Sequence, residues 1–273
     1  MNYFKMNAKN TIFILVLFMA AAGCKKTDRP ALGDYPKDAN TPGGPLKFYV
    51  AFDGVTANPL MNAVDSTRAN FPASNTGAFA DGISGKCYKG STTAFAKYGG
   101  ANEFTKATSF TIALWIKGAG PTPGGGTDFA FSLDTKGYSW TNSKLFLEFE
   151  DWSTPTLGNG KFYIMDQWVE YINGNGMPNL FNGQWHQLTF TYNGATSTLI
   201  AYMDGVLFRT NTIGGLGPIN FGNFDSFTIG GPNQYTHDQN TWMGFWEGNI
   251  DQFRLYNTVL TAAEVTALFN SKL

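Results

Sequence analysis

Cysteine, histidine and charged residues are scarce in this chain, and each shortage excludes a class of function. The 273 residues include 2 cysteines and 2 histidines, and His186 and His237 are too far apart in sequence to suggest a zinc site. Charged residues make up 14% of the chain and the formal net charge is -1, with no basic block beyond the N-terminal segment. Because phosphate binding requires a concentrated positive surface, a nucleic-acid partner is not expected.

Aromatic residues and glycine are abundant instead. Aromatics make up 16% of the sequence, including 24 Phe, 12 Tyr and 7 Trp, and there are 32 Gly. Aromatic side chains favour strands and glycines supply tight turns, so this composition predicts a β protein. One large β domain can account for the length, and the sequence shows no internal repeat.

The N-terminus has the pattern of an export signal. An apolar run over 11–20 is followed by small residues and then by Cys24. This run is short for a membrane span, so residues 1–23 are predicted to form a cleaved signal peptide. The Ala-Ala-Gly-Cys end is similar to a bacterial lipobox, which implies a lipidated Cys24 and an exported lipoprotein of the outer membrane or cell surface. The alternative is an ordinary signal peptide with a chance cysteine.

The segment after Cys24 is predicted to be a flexible tether, and a single domain follows it. Residues 24–45 are polar and rich in Pro and Gly, a composition that cannot bury enough apolar surface to order itself. The domain is predicted to span residues 46–273. Because Cys24 would carry lipid, Cys87 has no disulfide partner, and we expect it to be a small buried hydrophobic residue.

The C-terminal stretch changes its hydrophobic period from two to a helical spacing. Alternation over 250–255 predicts a strand on which Asp251 shares a face with Phe253 and Leu255. Thr261 and Glu264 then form a capping box at the start of a short helix. An Asp within an apolar strand requires a partner or a metal ion.

Period-two patterns and turn residues predict about a dozen strands in total. An Asn-Gly turn follows the run Gly183–Asn193, and an Asp-Gly turn at 204–205 marks a hairpin. Trp115 lies within an apolar strand and is expected to fill the space between two sheets. Further strands are predicted near 46–54, 109–117, 128–133, 144–150, 161–165, 207–210 and 226–230. This pattern predicts an all-β, two-sheet antiparallel sandwich with one short C-terminal helix.

Several of these stretches together resemble the laminin G-like (LamG-type) branch of the concanavalin A-like lectin/glucanase superfamily. They are Gly82-Ile-Ser-Gly-Lys-Cys-Tyr-Lys-Gly90, Ser109-Phe-Thr-Ile-Ala-Leu-Trp-Ile-Lys117, the Trp185-His run with its two turns, and Trp246-Glu-Gly-Asn-Ile-Asp-Gln-Phe-Arg-Leu-Tyr256. The resemblance covers residues 46–273 and implies a jelly-roll β-sandwich. It does not by itself identify a ligand or an activity, because one fold carries many functions.

The resemblance also raises the question of a structural calcium ion. Glucanases of this superfamily often hold one between the first strand and the Asp of the last strand, which correspond here to Asp53, the carbonyl of Gly54, and Asp251. Carboxylate and carbonyl oxygens are the ligands that calcium prefers. The alternative is that Asp251 accepts backbone hydrogen bonds and that Asp53 only caps a turn.

A catalytic site is not expected. Related glucanases use a Glu-x-Asp-x-(x)-Glu run, and the nearest stretch, Glu148-Phe-Glu150, has no central Asp and no third acid. Glu148 and Glu150 would share one face of a strand, since alternate residues point the same way. A diverged glycoside hydrolase that uses this pair is therefore retained only as an alternative function.

Aromatic residues outside the positions that carry the resemblance indicate carbohydrate binding. Flat rings stack on sugar faces, and amide side chains pair with hydroxyl groups. The candidate contact residues lie in segments dense in Asn, Gly and Gln, and they are Tyr138, Trp140, Trp152, Trp168, Tyr171, Tyr235 and Trp242. We expect a non-catalytic, lectin-like protein of a bacterial envelope that binds a polysaccharide or glycan. A protein-interaction or adhesion module is the first alternative, and it predicts that these rings scatter instead of lining one groove.

Overall fold

The computed structural model describes the sandwich domain and its C-terminal helix. The described residues are 44–53, 72–134, 143–222, 224, 226–232, 237–238 and 240–272. The predicted signal peptide, Cys24 and nearly all of the predicted tether lie outside them, as do Gly54, Tyr138, Trp140 and Tyr235. Among the described helices, none has both the length and the apolar character needed to cross a bilayer.

The described residues form two large sheets and one α-helix, which confirms the predicted all-β sandwich. In chain order the strands are β1 (Leu46–Val50), β2 (Pro72–Asn75), β3 (Ala78–Asp81), β4 (Lys86–Lys89), β5 (Ala96–Tyr98), β6 (Phe110–Lys117), β7 (Thr127–Asp134), β8 (Ser143–Phe149), β9 (Leu157–Gly158), β10 (Gly160–Ile164), β11 (Gln167–Tyr171), β12 (Met177–Pro178), β13 (His186–Asn193), β14 (Thr198–Met203), β15 (Val206–Thr212), β16 (Ser226–Ile229), β17 (Met243–Phe245) and β18 (Asn249–Tyr256). Helix α1 spans Ala262–Ser271. Short 3-10 turns occupy Asn102–Lys106 and Asn173–Asn175.

The order of strands in each sheet differs from their order in the chain. The first sheet runs β15-β14-β13-β6-β18-β4-β3, and β1 pairs with β18 on the same side as β4. The second sheet runs β11-β10-β8-β7-β16-β5-β2, with β17 beside β7. Neighbouring strands are antiparallel except for β17 and β7, which run parallel. Strands β9 and β12 form a separate two-stranded sheet.

The main hydrophobic core lies between the two large sheets. Alternate residues of each strand enter it, so Leu147 and Phe162 of the second sheet share one cluster with Leu114 and Phe190 of the first. Phe131, Phe227 and Phe253 pack with ring centroids 5.3 to 6.4 Å apart, which joins the centres of both sheets. We call the faces that meet in this core the inner faces and the opposite faces the outer faces.

Helix α1 covers part of the outer face of the first sheet. The predicted capping box is present, since the Thr261 side chain accepts from the Glu264 amide and the Glu264 carboxylate accepts from the Thr261 amide. Trp115 stacks on Phe269 of this helix at a centroid distance of 5.3 Å. The expectation that Trp115 fills the space between the sheets is therefore wrong, because its position in β6 points outward, under the helix.

The alternation predicted for the last strand breaks at Gln252. The φ angle of this residue is 48°, and the pairing of β18 with β6 shifts between Asp251 and Arg254. Phe253 and Leu255 still enter the core, whereas Asp251 lies opposite the outward-facing Trp115. The predicted face of Asp251 was wrong, because a bulge of this kind inserts an extra residue and reverses the alternation.

Candidate functional site

A row of ionisable and aromatic side chains crosses the outer face of the second sheet. Phe129, Glu148, Lys161 and Glu170 are register neighbours on β7, β8, β10 and β11. Residues opposite each other on antiparallel strands lie roughly 5 Å apart, so these side chains form one continuous line. An ionisable triplet thus borders an aromatic residue on the face directed away from the core.

A second row beside the first is aromatic. Phe146, Tyr163 and Trp168 are register neighbours on β8, β10 and β11. The Phe146 and Tyr163 rings stack at 4.6 Å with an interplanar angle of 5°, and both meet the Trp168 ring edge-on at 5.4 and 5.0 Å. Trp168 remains 38% exposed at the end of this row. The sheet therefore presents a partly open indole backed by buried rings.

Trp242 approaches the same aromatic cluster from the opposite side. Its ring lies 6.0 Å from Phe129, which packs on Phe146 at 4.9 Å, and Trp242 is also 38% exposed. Trp168 is on β11 and Phe129 on β7, three strand spacings or roughly 14 Å apart. Two partly exposed tryptophans thus flank one outer face, as expected if both belong to one binding surface.

Lys161 connects the acidic residues of this face. Its ammonium group forms an ion pair with Glu150 Oε1, lies 3.9 Å from Glu170 Oε1 and stands 5.6 Å from the centre of the Trp168 ring. The Lys161 side chain is 23% exposed, whereas the Glu170 carboxylate is 50% exposed. Of the two carboxylates near Lys161, the more exposed one, Glu170, therefore lies next to Trp168.

Burial raises the pKa values of two carboxyl groups near this face. Burial raises the pKa of Glu148 to about 8, against the pull of the Lys161 ammonium, and raises the pKa of Asp128 to about 7. Glu148 is 1% exposed, and its Oε2 atom has no hydrogen-bond partner within the part of the chain that the structure describes. The charge that a ligand would meet here consequently comes from the more exposed acids.

A polar groove lies where the edges of the two sheets meet. Strand β11 is the edge of the second sheet and β15 the edge of the first, and the Asn211 amide on β15 donates to the Tyr171 hydroxyl at 3.3 Å. The groove has a volume of about 250 Å³. Its lining includes Gln167, Trp168, Glu170, Asn211 and Thr212. An indole, two amides, a carboxylate and a hydroxyl therefore border one concave surface.

The predicted carbohydrate-contact residues divide into separate groups. Trp168 and Trp242 lie at the outer face just described, and Trp152, which is 45% exposed, follows the end of β8. Tyr171 is 0% exposed and packs in the main core against Phe190. The prediction for Tyr171 is wrong, since its position in β11 points inward and its ring cannot reach a ligand. Tyr138, Trp140 and Tyr235 lie outside the described residues.

The charged and amide residues of this site were not predicted from the sequence. Lys161, Glu170, Gln167 and Asn211 were not among the candidates. The alternation of Lys161 with Tyr163 and of Trp168 with Glu170 was the available signal, because residues i and i+2 of a strand share a face. The pairing of β10 with β11 then brings these two sets together.

The two acids considered for catalysis share a face as predicted, but they are not arranged as an open pair. The Glu150 carboxylate is held in the ion pair with Lys161, and Glu148 is buried. A retaining glycosidase requires two carboxyl groups that both reach the sugar. This arrangement suits electrostatic support of the outer face better than hydrolysis.

The two predicted calcium ligands are brought close together on the first sheet. The turn Gly82–Gly85 between β3 and β4 packs against both, with the Ile83 amide donating to Asp251 Oδ2 at 2.8 Å and the Lys86 amide donating to Asp53 Oδ1 at 2.9 Å. A β-carbon on Gly82 would lie 2.4 Å from Asp251 Oδ2, so this position requires glycine. The turn and the two acids therefore form a tightly fitted unit.

The electrostatics of this unit are compatible with a cation. Burial, together with the neighbouring charge of Asp53, raises the pKa of Asp251 to about 8. Asp251 is 0% exposed, and its Oδ1 atom has no hydrogen-bond partner among the described residues. The described part of the chain contains no group of three or more His, Cys, Asp or Glu side chains suited to a metal. Backbone carbonyls would have to complete a site with hard oxygen ligands.

A second concavity of about 380 Å³ lies at the turn between β14 and β15. It combines the apolar side chains of Val206, Leu207 and Phe208 with a polar side at His186 and Asp204. The His186 Nδ1 and Asp204 Oδ2 atoms are 2.8 Å apart, and Val206 and Leu207 are 69% and 54% exposed. We call this surface on β15 the apolar strip, and it is more apolar than the groove at Trp168.

A known protein family matches most of the described domain. The Laminin_G_3 model, described as the concanavalin A-like lectin/glucanases superfamily, matches residues 90–266. These residues include β6, the β13–β15 hairpins and β18, which carry the sequence signature. No curated protein sequence matches the chain.

Solved structures resemble the fold at low sequence identity. Domain 4 of an extracellular arabinanase from Geobacillus stearothermophilus, in complex with arabinotriose, has a TM-score of 0.56 and 20% identity, and the match covers 82% of this chain and 97% of that one. A botulinum neurotoxin type C structure, described as dependent on two ganglioside molecules for cell entry, has a TM-score of 0.57 and 15% identity over 84% of this chain and 51% of that one. A botulinum neurotoxin DC binding domain in complex with rat synaptotagmin II has a TM-score of 0.56 and 14% identity over 84% and 52%. The chain thus spans about half the length of these toxin chains.

Proposed function

Because the chain belongs to the concanavalin A-like lectin/glucanase superfamily, we propose that it is a non-catalytic carbohydrate-binding protein with its site at the Trp168 groove. The observation that carries this proposal is the half-open Trp168 indole bordered by Gln167, Glu170 and Asn211. An aromatic plane with a few convergent polar groups is the usual composition of a pocket for a small polar ligand.

The rings behind Trp168 give the groove a rigid wall. Phe146 and Tyr163 hold the indole edge-on, and the Tyr163 hydroxyl donates to Asp166 Oδ1 at 2.8 Å. A preorganised aromatic surface loses little side-chain entropy when a ligand stacks on it. The arabinanase and neurotoxin neighbours are described with carbohydrate ligands, which supports a glycan as the occupant of this chain.

Replacing Trp168 with Ala should weaken glycan binding at least about tenfold, since aromatic anchors at the centre of a site dominate binding energy. The measurement is a glycan-array screen of residues 44–273, followed by calorimetric titration of the best glycan with both proteins. Phe79→Ala is the matched control, because Phe79 is likewise 38% exposed but lies on β3 of the first sheet.

Phe79→Ala should bind as the unsubstituted domain does. If Trp168→Ala and the unsubstituted domain bind the selected glycan with equal affinity, the binding site lies elsewhere on the domain. An array without any bound glycan would overturn the carbohydrate-binding function itself.

We also propose that calcium is a structural component of the domain, held by Asp53 and Asp251 with backbone carbonyls. The support is the buried Asp251 carboxyl with its unpartnered Oδ1, next to a second acid. A bound cation would stabilise the ionised form of both carboxyl groups and fix the start of β4 against β18. Its role would be to hold the first sheet together, remote from the sugar groove on β11.

We further propose that the protein is exported and anchored by a lipid on Cys24, on the basis of the apolar run and the Ala-Ala-Gly-Cys sequence. The full chain, expressed in a bacterium fed a labelled fatty acid, should carry the label, and Cys24→Ser should lose it completely. Cys87→Ser is the control, because Cys87 is buried in β4 and should not affect labelling. Labelled Cys24→Ser protein would refute the anchor.

The apolar strip on β15 favours a second candidate function, binding of a protein partner. Val206 and Leu207 are exposed side chains at the edge of the first sheet, where apolar exposure is unusual for a lone domain. The synaptotagmin complex of a neurotoxin neighbour shows that a related fold can take a protein ligand. If Leu207→Asp still binds glycan but no longer captures a protein partner, the two functions belong to separate surfaces.

A further inference from the structure

The charge of the Trp168 groove specifies which glycans it can accept, and this inference rests on the proposed function. Of the described residues that line the groove, Glu170 alone carries a charge. Its carboxylate is 50% exposed, and the Lys161 ammonium lies 3.9 Å away while being held more closely by Glu150. The opening of the groove is therefore negative.

The chain itself shows how a cation is accommodated here. The Lys161 ammonium lies 5.6 Å from the centre of the Trp168 ring, within reach of both Glu150 and Glu170. An indole face attracts a cation through its quadrupole, and a carboxylate adds charge attraction. The combination of an indole and acids is the arrangement used for ammonium groups, and it repels carboxylate and sulfate groups.

A buried acid in the same row also favours a cationic ligand over an anionic one. Glu148 is the register neighbour of Lys161 on β8, is 1% exposed and has an unpartnered Oε2 on the outer face. The Oε2 atom leaves unused capacity to accept a hydrogen bond in this position. Within the row Glu148, Lys161 and Glu170, Lys161 is the one cation that could pair with an anionic ligand.

We propose that the groove binds glycans that carry a free amino group, such as glucosamine oligomers, in preference to neutral ones, and that it rejects glycans with carboxylate or sulfate groups. The ammonium of the sugar would lie beside Glu170, on the groove side of the Trp168 indole. The sugar hydroxyls would meet Gln167 and Asn211.

The test compares glucosamine oligomers, their N-acetylated forms and polyuronate oligomers of equal length against the domain at low salt. We expect the glucosamine oligomer to bind most tightly, the N-acetylated form less tightly and the polyuronate not at all. Glu170→Gln should weaken glucosamine binding about fivefold, the upper range for one exposed ion pair, and leave the N-acetylated form unchanged. Glu103→Gln removes the same charge beside β1 of the first sheet and should change neither.

The outcomes separate this inference from the proposed function. Binding of polyuronate as tightly as glucosamine, or an equal loss in Glu170→Gln and Glu103→Gln, would overturn the amino-sugar preference while leaving carbohydrate binding intact. Failure of every glycan to bind would overturn both. A fivefold loss restricted to Glu170→Gln and to the amine-bearing oligomer would establish the preference.

Discussion

Without calcium, the domain should become less stable as the pH rises from about 4 to 8, and calcium should offset the part of this loss that comes from Asp251. Burial raises the pKa of Asp251 from 3.8 to about 8, so the folded state holds a proton that the unfolded state releases over this range. For an acid whose folded pKa is raised, stability is complete below the unfolded pKa and falls until the folded pKa is passed. The difference corresponds to about 6 kcal/mol at most, an upper bound for one buried group.

The measurement is urea unfolding at pH 5 and pH 8, with calcium and with EDTA. Asp251→Asn cannot ionise, so it should lose the share of this pH dependence that comes from Asp251 and, in EDTA at pH 8, should exceed the unsubstituted domain by a few kcal/mol. It should also lose the stabilisation by calcium, which follows the ratio of ion concentration to Kd. Glu148 and Asp128 also have raised pKa values, and they account for the pH dependence that remains.

Asp81→Asn is the control, since Asp81 is an exposed acid at the end of β3, in the same hairpin as the Gly82–Gly85 turn. It should keep both the pH dependence and the response to calcium. If calcium stabilises Asp251→Asn as much as the unsubstituted domain, the ion binds elsewhere or Asp251 is only an acceptor of backbone hydrogen bonds.

Local patterns in the sequence were sufficient for most of the architecture. Alternating residues identified β6, β13 and β18, and the Thr261 capping box identified the start of α1, because each depends on neighbours in the chain. Local patterns could not predict on which face of the sheet the Asp251 side chain lies. That face depends on the positive φ of Gln252, a conformation that glycine or asparagine would have signalled and glutamine does not.

The candidate site was predicted only in part for a similar reason. Met165 and Asp166 both have positive φ and form the two-residue turn between β10 and β11 without an Asn-Gly sequence. Because that turn was not recognised, β11 was not placed, and the inward position of Tyr171 and the outward position of Trp168 could not be distinguished. The pairing of Lys161 with Glu170 also follows from this turn. The aromatic content was a correct guide to Trp168, but strand pairing decided which polar groups surround it.

Replacing Lys161 with Met should destabilise the domain by about 2–3 kcal/mol. The change leaves Glu150, which is 8% exposed, without its ion-pair partner, and breaking one side of a largely buried pair costs more than the pair itself contributes. Lys106→Met is the matched control, since Lys106 is 78% exposed and lies 3.7 Å from Glu103. The control should change stability by less than about 1 kcal/mol.

The double variant Lys161→Met with Glu150→Gln distinguishes loss of charge compensation from loss of packing. If the unpaired Glu150 carboxylate is the cause, removing its charge should recover at least about 1 kcal/mol in urea unfolding, a coupling typical of residues in contact. Additive losses would mean that the Lys161 stem, not its charge, supports the outer face. Recovery would show that the acids of this face are retained against a cost in stability, which is expected of groups that serve a ligand. The same lysine would then set both the stability of the second sheet and the charge of the groove beside Trp168.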